Sequence, residues 1–402
     1  MIRKFAFLFI LLYSFFYIFP FPLDAIPQLN FISNPYGRLH DGFVYWAAKN
    51  IFHISDAHKV AFSDSGDTVF DFANLLVYGL LSIVLAGTLL IIYGNKISYQ
   101  KFESWLFLYL RYCIAFYMLI YGFDKVFKSH FPFPSLEKLE QPLGQSTPQG
   151  LLWAFMGFST PYSTYLGVVE VFAGFLLLFR RTLALGAFLT LIIMINVTII
   201  NFSYDVPVKL FALHMVAYAM LLCAPFIRST WNFFVLHRQS ELQTIQEPNY
   251  PTFVRSYRKW IKLIIVIGYT GLFMSFSITN MRNDGDDAPK PPLYGTYNYV
   301  NSNNRGGDRM EQIIFDRKVA LIKWKDQFIY FDTKVDTISK IIHLQSNSDP
   351  SDKRDIHYDI DLDLLTLSGN DSTTMQFRKM NMQSYPLINR GFHWVVQQPY
   401  NN

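Results

Sequence analysis

The chain has 402 residues, of which 51% are hydrophobic and only 16% are charged, and its net charge is +5. Soluble domains average roughly 25% charged residues, so this composition excludes an entirely soluble protein. The basic residues form no stripe interleaved with stacking aromatics, so nucleic acid is not an expected partner. The two cysteines, Cys113 and Cys223, form no CxxC motif, which excludes a disulfide framework and disfavours thiol redox chemistry within this chain.

Seven apolar segments are each long enough to cross a bilayer, which takes roughly 20 apolar residues per helix. The predicted spans are Phe5–Phe21, Phe72–Tyr93, Trp105–Phe123, Tyr162–Phe179, Thr182–Phe202, Pro207–Ile227 and Trp260–Ile278. The first segment also resembles a signal peptide. Its long core is followed by Pro20 and Pro22 without an A-x-A site, which favours an uncleaved anchor.

The distribution of lysine and arginine predicts the orientation of these spans. With seven spans, the following basic residues fall on one side: Arg3, Lys4, Lys96, Lys101, Arg180, Arg181, Arg228, Arg238, Arg255, Arg258 and Lys259. By the positive-inside rule, the N-terminus is expected in the cytoplasm and the C-terminal tail outside it.

Two segments between the spans are predicted to be ordered helices on the outer side. The first, residues 41–54, places Phe43, Trp46, Ala47, Ile51 and Ile54 on one helical face, typical of an interfacial helix or of a packed loop helix. The second, residues 146–160, begins with Ser-Thr-Pro, a helix-start signal, and is too short to span a membrane. It is expected to be half-inserted or interfacial over the mouth of the bundle.

The composition changes after Pro291, where short segments with strand character replace the apolar runs. Alternating apolar and acidic residues from Tyr358 to Leu364 predict one strand with a dry face, and Asn370-Asp371 predicts a turn after it. Further strands are predicted in VALIKW, QFIYFD, KIIHLQ and FHWVVQ. Roughly eight strands without an intervening helix predict a small antiparallel barrel or sandwich. Such a barrel either holds an apolar ligand or has a filled core and serves as a docking surface.

The stretch NFSYDVPVKLFALH, residues 201–214, carries polar residues between two predicted spans. Asp205 is expected to cap the sixth span, and Pro207 suits its first turn. Lys209 follows Asp205 by four residues, so the two side chains can share a face. A capped, salt-bridged hinge therefore explains this stretch without any ligand.

A functional interpretation takes in the polar residues of the neighbouring spans. Glu170 lies near the middle of the fourth span, where a carboxylate is costly and is a functional candidate by default. From their depth along the helices, the following groups are expected to line one polar funnel with Glu170: Lys125, Asn196, Asn201, Asp205, Lys209 and His214. Arg111 lies nearer the cytoplasmic side.

Each of these residues also has a structural interpretation. Glu170 can bond to Asn196 or to the backbone, His214 can be a satisfied bundle histidine, and Lys125 can extend toward the interface. No His or carboxylate spacing indicates a metal site. We take Glu170, Lys125 and His214 as catalytic candidates. The ligand-binding candidates are Asn196, Asn201, Asp205, Lys209 and Arg111.

Two apolar segments resemble DoxX-family membrane proteins. RYCIAFYMLIYGFDKVF resembles that family's opening helix, with Gly122 and Lys125 at its Gly-x-x-Lys ending, and VVEVFAGFLLLFRRTLALGAFLTLIIMINV resembles its next block. The resemblance covers roughly Trp105 to Ile227. The motifs SGDTVFDF, YDVPVKL and NRGFHWVVQQPYN resemble a longer bacterial subgroup, which usually ends in Asn-Arg where this chain has Asn401 and Asn402.

The resemblance implies a four-helix core in a bacterial inner membrane and an association with quinone-linked redox complexes; Lys125 and Glu170 match family positions. The predicted domains are two N-terminal spans (1–104), the DoxX-like core (105–227), a basic loop with the seventh span (228–290) and the extracytoplasmic β domain (291–402).

Three functions are left open. The first is an accessory subunit of a quinone-linked oxidoreductase, which has no haem, flavin or redox-cysteine motif of its own and so needs a bound quinone or a partner. The second is a non-catalytic scaffold or lipid-handling protein whose β domain recruits another membrane or periplasmic protein. The third is a membrane enzyme that uses Lys125 or Glu170 as acid or base.

Overall fold

The structure is a computed structural model, and it divides the chain into two compact units. It describes residues 2–54, 66–94, 99–243, 245–246, 248–302, 310–317, 319–324, 327–347, 349, 351–369 and 373–395. The first unit contains residues 1–131 and 159–281, and the second contains 132–158 and 282–402. Residues 132–158, which the sequence analysis assigned to the DoxX-like core, therefore fold with the C-terminal domain.

The first unit is helical and spans the membrane several times. Its helices are α1 (Ile2–Ile18), α2 (Asn30–Asn50), α3 (Val69–Tyr93), α4 (Tyr99–Val126), α7 (Thr160–Leu178), α8 (Leu183–Ser203), α9 (Lys209–Phe234) and α10 (Thr252–Asp284), and the last extends into the second unit. Within the described residues, six of these helices are long and apolar enough to cross a membrane: α3, α4 and α7 to α10. They coincide with the predicted spans after the first, so the chain is a multi-pass membrane protein.

The first predicted span, Phe5–Phe21, corresponds to α1, an apolar helix of 17 residues that ends before Pro20 and Pro22. Its length of about 25 Å is near the lower limit for crossing a hydrocarbon core of about 30 Å. Leu8 packs with Ala86 and Leu90 of α3, and Ile18 joins the main core of the bundle. The count of seven spans, and the orientation that depends on it, stay predictions.

The predicted helix at residues 41–54 lies within α2 and ends at Asn50, but its packed face differs from the expected one. Val44, Ala47 and Ala48 are buried, and they pack against Phe70 and Ala73 of α3. Phe43 and Trp46, which were expected on the same face as Ala47, are instead 43% and 52% exposed. The small residues face the neighbouring helix because they allow close approach, and the large aromatic side chains point away.

Helices α4 and α7 approach closely because glycines replace side chains at their contact. A Cβ atom on Gly167 would lie 2.5 Å from the carbonyl oxygen of Gly122, and one on Gly122 would lie 2.7 Å from a methyl carbon of Val171. A Cβ on Gly174 would lie 3.0 Å from the carbonyl oxygen of Ala115. Small residues at such spacings are typical of tightly packed membrane helices. This contact fixes the relative positions of the side chains on the two helices.

The second unit contains a closed antiparallel barrel of eight strands. The strands are β1 (Gly295–Ser302), β2 (Gln312–Phe315), β3 (Val319–Trp324), β4 (Gln327–Asp336), β5 (Ile341–Ser346), β6 (Lys353–Asp361), β7 (Leu364–Ser368) and β8 (Thr374–Lys379), paired in chain order with β8 closing on β1. The short helix α5 (Leu136–Glu140) packs Leu136 on Ile314 and Leu321, which face outward. The same unit holds α6 (Pro148–Phe158) and α11 (Pro386–Asn389).

The predicted barrel is confirmed, with two local corrections. The predicted strand Tyr358–Leu364 is a hairpin, since β6 ends at Asp361 and β7 begins at Leu364. Leu362 occupies the turn with φ 53° and is 92% exposed. The described part of FHWVVQ, Phe392–Val395, forms no strand, because the barrel is already closed and leaves no edge for a further strand to pair with. The predicted turn Asn370-Asp371 lies outside the described residues.

Candidate functional site

Lys125 of α4 and Glu170 of α7 form an ion pair in the helical unit. The Lys125 Nζ atom lies 2.6 Å from Oε1 and 2.7 Å from Oε2 of Glu170. The two side chains are only 12% and 7% exposed. Lys125 therefore points to Glu170 rather than extending to the surface, and Glu170 bonds to this cation and not to Asn196. The Gly122–Gly167 contact brings the two residues within reach.

Further polar residues lie around the end of α4, next to Lys125 in the chain. Ser129 and Ser277 donate to Oδ1 of Asp124, at 2.9 and 2.6 Å, which ties the end of α4 to α10. The ring of His130 lies 6.1 Å from that of Tyr121, edge to face. Burial, and then the charge of Lys125, lower the pKa of His130 to about 3. His130 is therefore neutral at physiological pH, and the local positive charge resides on Lys125.

A second polar cluster lies between α1 and α9, and we call it the tyrosine–histidine cluster: Tyr13, Ser14, Tyr17, His214 and Tyr218. The Nδ1 atom of His214 lies 2.7 Å from the carbonyl oxygen of Leu210, and Nε2 lies 2.8 Å from the hydroxyl of Tyr13. A carbonyl only accepts, so Nδ1 carries the proton and Nε2 accepts from Tyr13. The ring of Tyr17 stacks on the imidazole, with centroids 3.7 Å apart and planes 9° apart.

Two hydroxyl groups in this cluster are buried without a hydrogen-bond partner. Within the described part of the chain, neither the hydroxyl of Tyr218 nor that of Ser14 has one. The two hydroxyl groups lie near each other. Tyr218 is 5% exposed and Ser14 is 1% exposed. Buried polar groups are nearly always satisfied, so this pair of neighbouring hydroxyls is an unusual feature of the bundle core.

Aromatic side chains connect the two clusters. Tyr117 and Tyr121 of α4 contact Phe211 of α9, with ring centroids 4.9 and 5.8 Å apart. Phe211 lies one turn before His214, and Tyr121 lies within electrostatic range of Glu170. The ring of Phe21, just after α1, stacks on Tyr117 at 4.0 Å. An aromatic seam of Phe21, Tyr117, Tyr121 and Phe211 therefore lies between the ion pair and the turn of α9 that precedes His214.

Asp67, rather than Asp205, caps the first turn of α9. Its carboxylate accepts from the backbone N–H groups of Lys209 at 2.7 Å and Leu210 at 2.8 Å. The prediction that Asp205 is the cap is wrong, because its side chain is 83% exposed and pairs with Nζ of Lys209 at 2.7 Å. The expected Asp205–Lys209 contact is present. Two motifs that are far apart in sequence, SGDTVFDF and YDVPVKL, therefore meet at one helix start.

We expect Asp67→Ala to lower the free energy of unfolding by about 1–2 kcal/mol, the usual effect of removing a helix cap. Two backbone N–H groups at the positive end of the α9 dipole would lose their acceptor. Asp205→Asn is the matched control, because asparagine tolerates the positive φ of 51° at this position, and it should change stability by less than about 0.5 kcal/mol since the ion pair that it loses is exposed. Thermal unfolding of both variants in detergent checks this, and equal effects would contradict the assignment of Asp67 as the cap.

The remaining candidates lie apart from these clusters. Arg111 is buried, and its guanidinium donates to the carbonyl oxygens of Leu177 and Leu178 at the C-terminal end of α7. It lies fourteen residues, or about 21 Å, before Lys125 on the same helix. Asn196 is exposed on α8, and Asn201 is buried near the end of that helix. Of the predicted set, the structure pairs Lys125 with Glu170 and Asp205 with Lys209, and the common funnel stays a prediction.

Several residues of these clusters did not stand out in the sequence. Tyr13 and Tyr17 are four residues apart, as are His214 and Tyr218, so each pair lies on one helical face. This spacing was a usable signal. By contrast, the role of Asp67 depends on a contact with residues that are distant in sequence, and that of His130 on a loop that folds back onto α4. Nothing in the local pattern distinguishes them.

Other chemistry has little support in the described residues. Cys113 and Cys223 are buried free thiols. Within the described ranges, no group of three or more His, Cys, Asp or Glu side chains is arranged to hold a metal ion.

Comparison with known proteins gives one partial match. A protein of Bacillus subtilis (strain 168), described as "Uncharacterized protein YwoB", is 34% identical to this chain over 99 residues. Those residues are 25% of this chain and 62% of the relative, so the chain spans less than two thirds of that protein's length. No family model matches the chain. No solved structure matches it either.

Proposed function

We propose that the chain is a DoxX-like membrane subunit of a quinone-linked redox complex, and that the tyrosine–histidine cluster binds the quinone head group. The observation that carries this proposal is the pair of buried, unpartnered hydroxyls of Tyr218 and Ser14 beside the stacked ring of Tyr17. A quinone has a flat ring, carbonyl oxygens and an apolar tail. Its carbonyl oxygen can accept hydrogen bonds from these hydroxyls, and its ring can stack on aromatic side chains.

The residues of the cluster fit this group in their chemistry. The Tyr218 hydroxyl is a donor without an acceptor, and Tyr17 and His214 present parallel aromatic faces. The surrounding core of the bundle is apolar, with Leu222 and Ala219 each at most 1% exposed. A carbonyl oxygen placed there would satisfy the buried donors, which otherwise cost free energy.

The cluster is also suited to moving protons. A bound quinone supplies chemistry in which two electrons and two protons are taken up or released. On the protein side, Nε2 of His214 accepts a hydrogen bond from the Tyr13 hydroxyl, and in our proposal these two groups are the ones that exchange protons with the bound quinone. The Lys125–Glu170 pair lies at the other end of the aromatic seam and holds a buried positive charge beside a carboxylate. In our proposal Glu170 exchanges protons and Lys125 orients it.

The proposal requires a partner, because the sequence has no haem, flavin or redox-cysteine motif. Electrons would pass to or from a second membrane or periplasmic protein. In this arrangement the protein resides in a bacterial inner membrane, with its N-terminus in the cytoplasm and the barrel outside. The concentration of lysine and arginine on one side of the predicted spans supports this orientation.

Quinone retention tests the proposal directly. We expect Tyr218→Phe, which removes only the hydroxyl, to reduce bound quinone about five- to tenfold, the effect of losing one buried hydrogen bond. Glu170→Gln should also reduce it. The full chain would be extracted from its own membrane into nanodiscs, and released quinone quantified by mass spectrometry. Tyr165→Phe on α7, whose ring is 60% exposed, is the control. A wild-type protein that retains phospholipid but no quinone would overturn the proposal.

A second candidate function is a scaffold or lipid-handling protein whose barrel recruits a partner. The closed eight-stranded barrel favours it, since a domain of this size exceeds what membrane anchoring requires. Crosslinking of the full chain in its native membrane, followed by mass spectrometry, tests this candidate. Partners crosslinked to residues 291–402 would support it, and crosslinks confined to the helical unit would count against it.

A further inference from the structure

The barrel contains a half-open cavity that the proposed function does not use. Its volume is about 360 Å³. Small-molecule pockets occupy about 300–1,000 Å³, and an eight-stranded barrel has room either for packed side chains or for one small ligand. The cavity lies wholly within the second unit, between strands β2, β3, β5, β6, β7 and β8.

The walls of this cavity are apolar. Ile313, Phe315, Ile342, Leu344 and Leu367 line it, and all of them belong to the buried core of the barrel. Two methionines, Met310 and Met375, complete the lining and are only partly buried. Flexible, polarisable methionine side chains adapt to chains of different shape. Such walls favour a hydrocarbon chain over a polar ligand.

Polar residues are concentrated where β6 begins, and three charged residues, Lys353, Arg354 and Asp355, line the cavity there. Arg354 is paired with Leu344 across the β5–β6 ladder, as Ile356 is with Ile342, so it shares the inward face with these residues. Its guanidinium lies 5.8 Å from the centre of the Phe331 ring. Asp355, the next residue, also lines this end of the cavity, and its Oδ1 atom lies 2.6 Å from Nδ1 of His343.

Arg354 retains hydrogen-bonding capacity for a ligand. Its Nε and one Nη atom donate to the two oxygens of Asp352, at 2.9 and 2.8 Å. A guanidinium has five N–H groups, so three are not used by this pair. Lys353 also lines the same end of the cavity. An anionic oxygen at this end would therefore meet cationic donors that Asp352 holds in place.

We propose that the barrel cavity binds a single-chain amphiphile of the fatty-acid class, with the chain between β2, β5 and β7 and the carboxylate at Arg354. The size of the cavity suits one chain rather than the two of a phospholipid. This inference concerns the second unit alone and does not depend on quinone binding in the helices.

Photolabelling tests the proposal. The full chain in nanodiscs would be incubated with a diazirine derivative of palmitate, irradiated, and analysed by peptide mass spectrometry. We expect labelled peptides from residues 310–377. Met375→Trp fills the cavity from β8 and should reduce this labelling at least tenfold. Gln376→Trp is the matched control, because the next residue on a strand points to the opposite face, and it should leave labelling unchanged.

Two further measurements keep the test decisive. Met310→Trp fills the cavity from the β2 side and should reduce labelling in the same way, so a folding defect specific to Met375→Trp would not decide the result. Arg354→Gln should weaken competition by unlabelled palmitate about tenfold and leave competition by palmitate methyl ester unchanged. Labelling confined to the helical unit, or equal labelling of both tryptophan variants and wild type, would overturn the proposal.

Discussion

Lys125→Met is expected to destabilise the helical unit by about 3–5 kcal/mol, the effect of removing one partner of a buried ion pair. Both oxygens of Glu170 lie within 2.7 Å of the Lys125 ammonium, and the Glu170 side chain is 7% exposed. Without Lys125, the carboxylate would stay buried without a counter-charge, or would have to take up a proton. Reversible unfolding in mixed micelles, followed by tryptophan fluorescence, measures the change.

The double variant Lys125→Met/Glu170→Leu is the control for this prediction. It removes both charges and keeps similar volumes, and such replacements are often neutral or stabilising. We expect the double variant to recover most of the lost stability. If Lys125→Met alone unfolds like the wild type, the claim that Lys125 stabilises the buried Glu170 carboxylate is wrong.

The same double variant separates a structural role of the pair from a functional one. A folded double variant that has lost its quinone would indicate that the charges act on the ligand or its protons. A folded variant that retains quinone would assign the pair to helix packing. This comparison is informative because both forms lack an unpaired buried charge, so a difference in quinone content does not arise from instability.

The architecture was largely predictable from the sequence because its signals are local. The six long spans are continuous apolar runs, and most barrel strands show alternation or short β-branched and aromatic segments. The hairpin at Leu362 was missed because a leucine in a turn preserves the alternation of its neighbours. There the hydrophobic pattern continues through a position where the backbone reverses direction.

The arrangement of the site was less predictable because it depends on long-range contacts. Tyr13 and His214 are 201 residues apart, and Asp67 is 142 residues before the backbone that it caps. Depth along a helix placed Lys125 at the outer end of its span and Glu170 deeper in its own, and it gave no information about helix rotation. The pairing of these two residues follows from the Gly122–Gly167 contact, which selects one face of α4 and one of α7.

That contact leads to the prediction with the second large effect. Gly167→Ala should destabilise the helical unit by about 1–3 kcal/mol, as overpacking of a tight contact does. The added methyl would lie 2.5 Å from the Gly122 carbonyl oxygen, 2.7 Å from the Val126 nitrogen and 2.9 Å from the Lys125 Cβ atom. Two of these atoms belong to the backbone, so a side-chain rotation cannot relieve the clash. The helices must separate, and the Lys125–Glu170 pair must lengthen.

Gly79→Ala on α3 is the matched control for Gly167→Ala. Nothing lies within 4 Å of the added Cβ atom at Gly79, so this variant should unfold within about 0.5 kcal/mol of the wild type. In a double-mutant cycle, Gly167→Ala and Lys125→Met should be strongly non-additive, because both act on one contact. Additive effects would contradict the view that the glycine contact positions the ion pair. A large interaction energy would instead mean that the ion pair is stable only when α4 and α7 are in close contact, because the same contact positions both charges.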